Sequence, residues 1–247
     1  MHPRIQRIVT GSFFAGLEIQ FLSEGIELYL IVLRRKGHQL IVEKSVTAIE
    51  SIEKLVSHLP KDIPLAIAFT GKGILHRRIA VDPNSDPKIL LSKILPNASL
   101  KEFYLQIVPA SRDEQFISVL RKSAIDEMLG RLNQFSVVAC SLGPLSAISI
   151  LSLIEAPKPE LRFGRHLIQL DNHNPDEVYY EDVSYEKRQF DLGGQKVESE
   201  NLLAFAAAFQ QLLNEEQRVT AHVESLISAK EDFLQRKLFK AGGMALL

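Results

Sequence analysis

Thr70-Gly71-Lys72-Gly73 sets glycines around a lysine, the composition of a phosphate cradle. A P-loop needs four residues between its first glycine and its Gly-Lys-Ser/Thr end, so that successive N–H groups wrap the phosphates. That spacing is absent, and the segment reads as a turn. No Gly-x-Gly-x-x-Gly follows an apolar strand, which argues against a dinucleotide site. The histidines are His2, His38, His58, His76, His166, His173 and His222. No two have the close helical spacing of a zinc site, and one cysteine cannot complete such a site. His166 and His173 can approach one another across a strand end, but solvated or structural histidines are the expectation. Asp171, Asp176, Glu177, Glu181 and Asp182 gather in and after one loop, either as a cation or partner site or, the preferred reading, as an exposed acidic hairpin. Ser141 lacks the Gly-x-Ser-x-Gly elbow that would make it a nucleophile. Cys140, in the apolar run 135–140, reads as a buried strand residue. No catalytic constellation and no metal site follow from these residues.

The elements that would position such groups alternate between strands and helices. Net charge is -1, which gives no global electrostatic case for nucleic acid, and 46% hydrophobic residues in 247 allow a real core. The N-terminus lacks the apolar region of a signal peptide, so a reduced, cytoplasmic setting is expected. Residues 16–22, 26–34 and 39–45 read as strands joined by short turns, an antiparallel meander. Apolar spacing predicts a helix over 48–59, followed at 63–69 by a buried strand of the parallel type. A strand at 74–81, a helix at 86–95, a strand at 103–110 and a long helix at 113–133 come next. A buried strand at 135–141 leads to a helix opened by Gly143 and Pro144 and running through 154.

Ala156-Pro157-Lys158-Pro159 marks a lobe boundary. Beyond it, strands are expected at 163–171, 178–184 and 185–192, then Gly193-Gly194, then a helix over 198–213. A charged helix over 215–240 runs into Ala241-Gly-Gly-Met-Ala-Leu-Leu247, with Arg236, Lys237 and Lys240 just before the apolar fragment. That order fits a cytoplasmic chain meeting a bilayer, or an ordinary helix end. The apolar positions of this last helix exceed what a solvated stalk requires, so it is expected to pack on the body or on a second copy.

The succession strand-hairpin-strand, helix, strand, inserted lobe, helix, strand, then a second hairpin ending in Gly-Gly and a helix resembles the actin-like ATPase fold. It is most similar to the branch containing the type IV pilus assembly protein M and the cytoplasmic domain of the type II secretion platform protein L. The segments that carry the likeness are Ala66 to Ile79, Ile89 to Pro96, Phe190-Asp191-Leu192-Gly193-Gly194 and Leu203 to Ala208. The resemblance implies an α/β, actin-like (ribonuclease H-like), two-lobed fold with mixed sheets. Its first lobe would span 1–156 with an insert near 75–135, its reduced second lobe 157–213, and a juxtamembrane helix 214–247.

Departures from the family pattern decide the functional expectation. Active members hold phosphates in two hairpins marked Asp-x-Gly, where glycine lets the backbone approach the anion. The aligned positions here are Glu18-Ile19-Gln20 and Asp171-Asn172-His173. Both glycines are missing, and Gln20 and His173 place side chains where phosphate would sit. The degenerate site is therefore Glu18, Gln20, Asp171, His173, Gly193 and Gly194. The expectation is a non-catalytic scaffold on the cytoplasmic face of a bacterial inner membrane, not an enzyme and without a cofactor. Its partners would be a secretion or pilus ATPase and other platform proteins, with a membrane segment beyond the C-terminus and a homodimer in view. The alternative is a nucleotide-binding pilus protein that clamps a partner peptide, and a small-molecule kinase of the same fold is a third, weaker reading.

Overall fold

The computed structural model describes residues 12–244 except 61, 83–84, 112, 155–158, 172–173 and 184. Its elements in chain order begin with β1 (Phe13–Phe21), β2 (Ile26–Lys36), β3 (Gln39–Ile49), α1 (Ile52–Leu55) and β4 (Pro64–Gly71). Next come β5 (Leu75–Ala80), α2 (Pro87–Ile94), β6 (Phe103–Ser111), β7 (Glu114–Arg121), α3 (Lys122–Arg131) and β8 (Ser136–Leu142). After a 3-10 segment, Gly143–Leu153, follow β9 (Glu160–Phe163), β10 (His166–Asp171), β11 (Asn174–Tyr180), β12 (Gln189–Asp191), β13 (Lys196–Glu198), α4 (Leu202–Gln210) and α5 (Glu224–Met244).

The main sheet has five strands in the order β3-β2-β1-β4-β8. β1 and β4 lack apolar alternation because both their faces are covered, and they pair in parallel from Ala15 opposite Leu65 to Phe21 opposite Gly71. β8 extends the parallel set beside β4, while β2 and β3 complete an antiparallel meander on the other side. One face carries Leu17, Ile19, Ile67, Phe69 and Leu142 against α1, α3 and the start of α5. The opposite face carries Phe14, Ala66 and Ala68 against α4 and the 3-10 segment. The chain between β4 and β8 forms its own three-stranded sheet, β5-β7-β6, backed by α2. Asp86 caps α2 by accepting from Lys88 N at 2.7 Å, and Pro87 occupies the first turn, where a missing N–H costs nothing.

The mixed α/β class and the meander agree with expectation, but several segments differ. β3 runs on to Ile49, since Val46 and Thr47 favour extended backbone and Leu28 pairs with Ile49, leaving only four residues of the predicted 48–59 helix. Residues 113–133 divide into β7 and α3. Phe116, Ile117, Val119 and Leu120 are strand formers that here complete the centre of a sheet, with neighbours on both edges. Residues 163–171 fold back at Gly164-Arg165 into a hairpin rather than one strand. Only Gln189–Asp191 of the predicted 185–192 strand is paired. The helix after Gly143 has 3-10 pitch, and the Ser149 hydroxyl occupies the Ser146 carbonyl at 2.6 Å, competing with an α-ladder. The final helix starts at Glu224, because residues 218–223 run extended along the β8 edge, where Ala221 N donates to Cys140 O at 2.8 Å.

Close approach of α4 to β1 sets the thickness of this core. A Cβ added at Gly16 would stand 1.9 Å from the Ala204 carbonyl oxygen and 2.5 Å from Ala208 N. Both neighbours are backbone and cannot swing aside. Gly16→Ala is therefore expected to cost about 3 kcal/mol or more, at the upper end of overpacking effects, read by denaturant unfolding. A cost below ~1 kcal/mol would contradict this helix-on-strand contact.

Candidate functional site

The period of two along a strand puts Phe14, Gly16, Glu18 and Gln20 on one face of β1. Register carries the face across the sheet: Gln20 lies opposite Thr70, and Ala68 opposite Ser141. Small residues lie under α4, and past them the face turns polar. Glu18, Gln20, Thr70 and Ser141 are all nearly inaccessible there, Glu18 at 3% exposure.

A carboxylate so buried must be met by donors. Thr70 Oγ1 donates to Glu18 Oε1 at 2.6 Å. His166 Nε2, from β10 in a different sheet, stands 3.2 Å from the same oxygen. A carboxylate only accepts, so His166 donates to it only with its proton on Nε2, a tautomer that sets Gln20 Nε2, 3.4 Å away, against a second donor. Gln20 Nε2 completes the set at 3.5 Å, the outer limit of a hydrogen bond. The His166 ring is tilted between Phe163 and Tyr180, each with its centroid 5.6 Å away. Beside this cluster Glu27 accepts from Tyr29 at 2.7 Å and pairs with Arg165 at 3.7 Å, a second tie between the same two sheets.

Among the described residues, Gln20 Oε1 and His166 Nδ1 are buried without a hydrogen-bond partner. Both are acceptors in the arrangement above. What they lack is a donor, so they offer nothing to an anion. The Glu18 charge itself repels one. Three donors converge on an internal carboxylate at the aligned position of the first phosphate hairpin.

His76 ties in the third sheet. Its Nδ1 is 2.8 Å from Ser118 Oγ, and its ring packs over the backbone at Gly143, whose φ is +70°. Burial, and then the nearby His166, push its pKa down from 6.5 to about 4. Arg78 pairs with Glu114 within the β5-β7-β6 sheet and with Asp176 of β11, and the Gln106 side chain of β6 accepts from Leu142 N of β8 at 2.7 Å. Lys72 of the glycine turn is held by Ser23 at 2.7 Å and Asp182 at 3.0 Å, so its ammonium serves the turn.

The aligned positions divide. Glu18 and Gln20 come together, and His166 joins them unforeseen. Asp171 is exposed at the end of β10, paired in register with Asn174. His173 lies outside the described residues. Gly193 and Gly194 form the exposed turn between β12 and β13, where Asp191 accepts from Gly194 N at 2.7 Å. In the acidic stretch, Asp176 and Asp182 have cationic partners and Glu177 and Glu181 have tyrosine hydroxyls. Among the described residues no group of three or more His, Cys, Asp or Glu could hold a metal ion. Burial pushes the Cys140 thiol up to about 12, which removes it as a nucleophile at neutral pH.

The last helix packs on its own body. Val223, Leu226 and Phe233 are buried, whereas Ile227 at 43%, Leu238 at 41% and Phe239 at 83% are exposed. Arg236 and Lys237 lie on this helix, Lys237 with its ammonium 5.4 Å from the Phe233 ring centroid. The backbone of Lys240 belongs to the helix, and its side chain lies outside the described residues. Among the described residues no helix is long and apolar enough to cross a membrane.

These features define a mixed α/β protein whose main sheet is locked to its neighbours at one end by a buried carboxylate. No protein-family model matches the sequence, and a search among curated proteins finds no match. Among solved structures, the chain is similar to the cytoplasmic domain of EpsL, an inner-membrane component of the type II secretion system of Vibrio cholerae. The likeness is distant, with 13% identity and a TM-score of 0.42 over 83% of this chain and 79% of that one.

The His76 environment sets a pH dependence. A folded pKa of about 4 against an ordinary 6.5 means that the unfolded chain binds the proton more tightly. Stability is then full near neutral pH and falls as pH drops through 6.5 towards 4, by up to ~3 kcal/mol from this group. Denaturant unfolding of wild type and His76→Gln at pH 7, 5.5 and 4.5 checks it. The difference between the two proteins should shrink or reverse on acidification, and a constant difference would exclude His76 as the source.

Proposed function

We propose that the chain is a non-catalytic, actin-like cytoplasmic scaffold of a bacterial secretion or pilus assembly platform. The observation that carries this reading is the Glu18 cluster. In the resembled ATPases a phosphate occupies the space between two glycine hairpins. Here Glu18 supplies the negative charge from within, and Thr70, His166 and Gln20 supply the donors. Closure of the sheets then requires no nucleotide, and the missing glycines at Gln20 and His173 fit the same reading. The succession of meander, parallel β4, inserted sheet and parallel β8 supports the actin-like assignment, in which residues 1–156 with their insert form the first lobe and 157–213 a reduced second lobe.

The scaffold's work is to hold a secretion or pilus ATPase near the inner membrane, with α5 as the arm and Arg236, Lys237 and Lys240 towards the bilayer. Calorimetric titration with ATP and magnesium, paired with melting, tests the absence of a nucleotide role. A ligand at 100 times its dissociation constant adds about 2.7 kcal/mol. No heat and no melting shift are expected, together with a binding isotherm for the cell's own secretion or pilus ATPase. Saturable ATP binding would favour the nucleotide-dependent clamp instead.

Self-association belongs to the same proposal. Leu226 faces the sheet, so its loss would loosen the fold rather than a dimer. Ile227 and Leu238, 11 positions apart, share an outward stripe of α5. Ile227→Asp with Leu238→Asp should lower the sedimentation coefficient of any dimer while leaving the melting temperature within a few degrees. Unchanged sedimentation of a dimeric wild type would move the interface elsewhere.

A further inference from the structure

Most sheet edges of this protein are covered or interrupted. Val42 N of β3 donates to the Gln195 side chain at 3.1 Å, and two register shifts bend that strand. Ala221 pairs along β8, Arg188 donates to the Arg162 carbonyl of β9, and Pro175 and a register shift interrupt β11. In the third sheet, β5-β7-β6, the two edges differ. Lys122 N donates to Glu102 O at 2.8 Å, and the alternation of the ladder then turns the backbones of Phe103, Leu105, Ile107 and Pro109 of β6 away from β7. Pro109 has no N–H to offer on that side, and a register shift follows it, two devices that blunt an edge.

β5 has neither device. Its register with β7 runs without irregularity from Leu75 opposite Val119 to Ala80 opposite Glu114. Val81 N donates to Asp113 O at 3.1 Å, so the backbones of Leu75, Arg77 and Ile79 face β7 and those of His76, Arg78 and Ala80 face outward. Lys93 reaches the Ala80 carbonyl at 3.3 Å, and among the described residues no strand pairs with this outward row. Side chains alternate along the same strand. His76 and Arg78 are tied into the body, to Ser118 and Asp176. Leu75, at 45% exposure, and the exposed Arg77 share the other face, and Arg77 forms no ion pair among the described residues.

We propose that β5 receives an extended acidic segment of a partner protein as a fourth strand of this sheet. The backbones of His76, Arg78 and Ala80 would pair with it, while Leu75 and Arg77 read its side chains. In strand addition, main-chain hydrogen bonds supply affinity and alternate side chains supply selectivity. Charge decides the occupant. A second copy pairing antiparallel in the two registers centred on the strand would set Arg77 opposite Arg77 or Arg78 opposite Arg78, and like charges directly opposed are destabilising. A foreign strand with a carboxylate opposite Arg77, and an apolar residue two positions away against Leu75, satisfies both exposed side chains. The inference is independent of the scaffold reading, since the Glu18 cluster takes no part in it.

The probe is a fluorescently labelled, end-capped peptide, Ser-Val-Glu-Val-Glu-Val-Ser, with lysines in place of both glutamates in its counterpart. Anisotropy on the full chain should give saturable one-to-one binding of the acidic peptide, and at least about tenfold weaker binding of the lysine peptide. On saturation, amide exchange should slow at His76, Arg78 and Ala80 and stay unchanged along β3 and β6. Arg77→Glu, at an exposed position, should reverse the preference between the peptides. Ala80→Pro removes one outward N–H without touching the ladder to β7, and should weaken the acidic peptide while keeping the charge preference. Absence of saturation would overturn the proposal. So would equal affinity for the two peptides, slowed exchange confined to another edge, or an unchanged preference in Arg77→Glu. A wild-type dimer in sedimentation that Ala80→Pro dissociates would give the edge to a second copy, and would overturn it equally.

Discussion

A carboxylate excluded from water has to be surrounded by donors, and the Glu18 carboxylate obtains them from three strands in two sheets. Thr70 belongs to β4 and His166 to β10, with Gln20 alongside on β1. Burying a charge without such partners would cost several kcal/mol, so the relative position of the two sheets is tied to that oxygen. Neighbouring contacts point the same way. Glu27 with Arg165 repeats the tie at the rim, and His76 between Ser118 and Gly143 brings in the third sheet. Separating the sheets would strand a charge, so separation and stability are coupled.

That coupling shows in how the space between the sheets is filled. In a protein that opens and closes around a ligand, the space between lobes must be cheap to solvate when empty. Here it is filled with hydrogen-bonded side chains and aromatic rings, Phe163 and Tyr180 flanking His166. Prising the sheets apart there would expose those hydrogen-bonded groups and rings together. At the other end α5 rests on the body through Leu226 and Phe233, with Val223 buried just before it.

Much of the fold was legible because both faces of the central strands are covered. Apolar runs at 14–17 and 65–69 have few other ways to be buried, and the turns at 23–25 and 37–38 set the meander. Residues 113–133 were not legible, since Phe116, Ile117, Val119 and Leu120 suit either a helix or a strand when neighbours are unknown. What settles β7 is pairing with β5 and β6, residues far along the chain. The break at Gly164-Arg165 was visible as a glycine, yet apolar residues on both sides masked it.

For the candidate site, half of the cluster was within reach of the sequence. Glu18 and Gln20 interrupt an apolar strand at spacing two, which by itself requires a buried polar face with partners. The partners were not within reach. Thr70 read only as the beginning of a glycine turn, and His166 was weighed against His173, seven residues on, when its contact is with Glu18 across 148 residues. Spacing along the chain exposes sites built on one element. A site shared between two sheets shows in the sequence only as an unpaired need: here, a glutamate in a strand with no room for one. Read as a demand for donors, such a residue leads to the internal carboxylate that the structure contains.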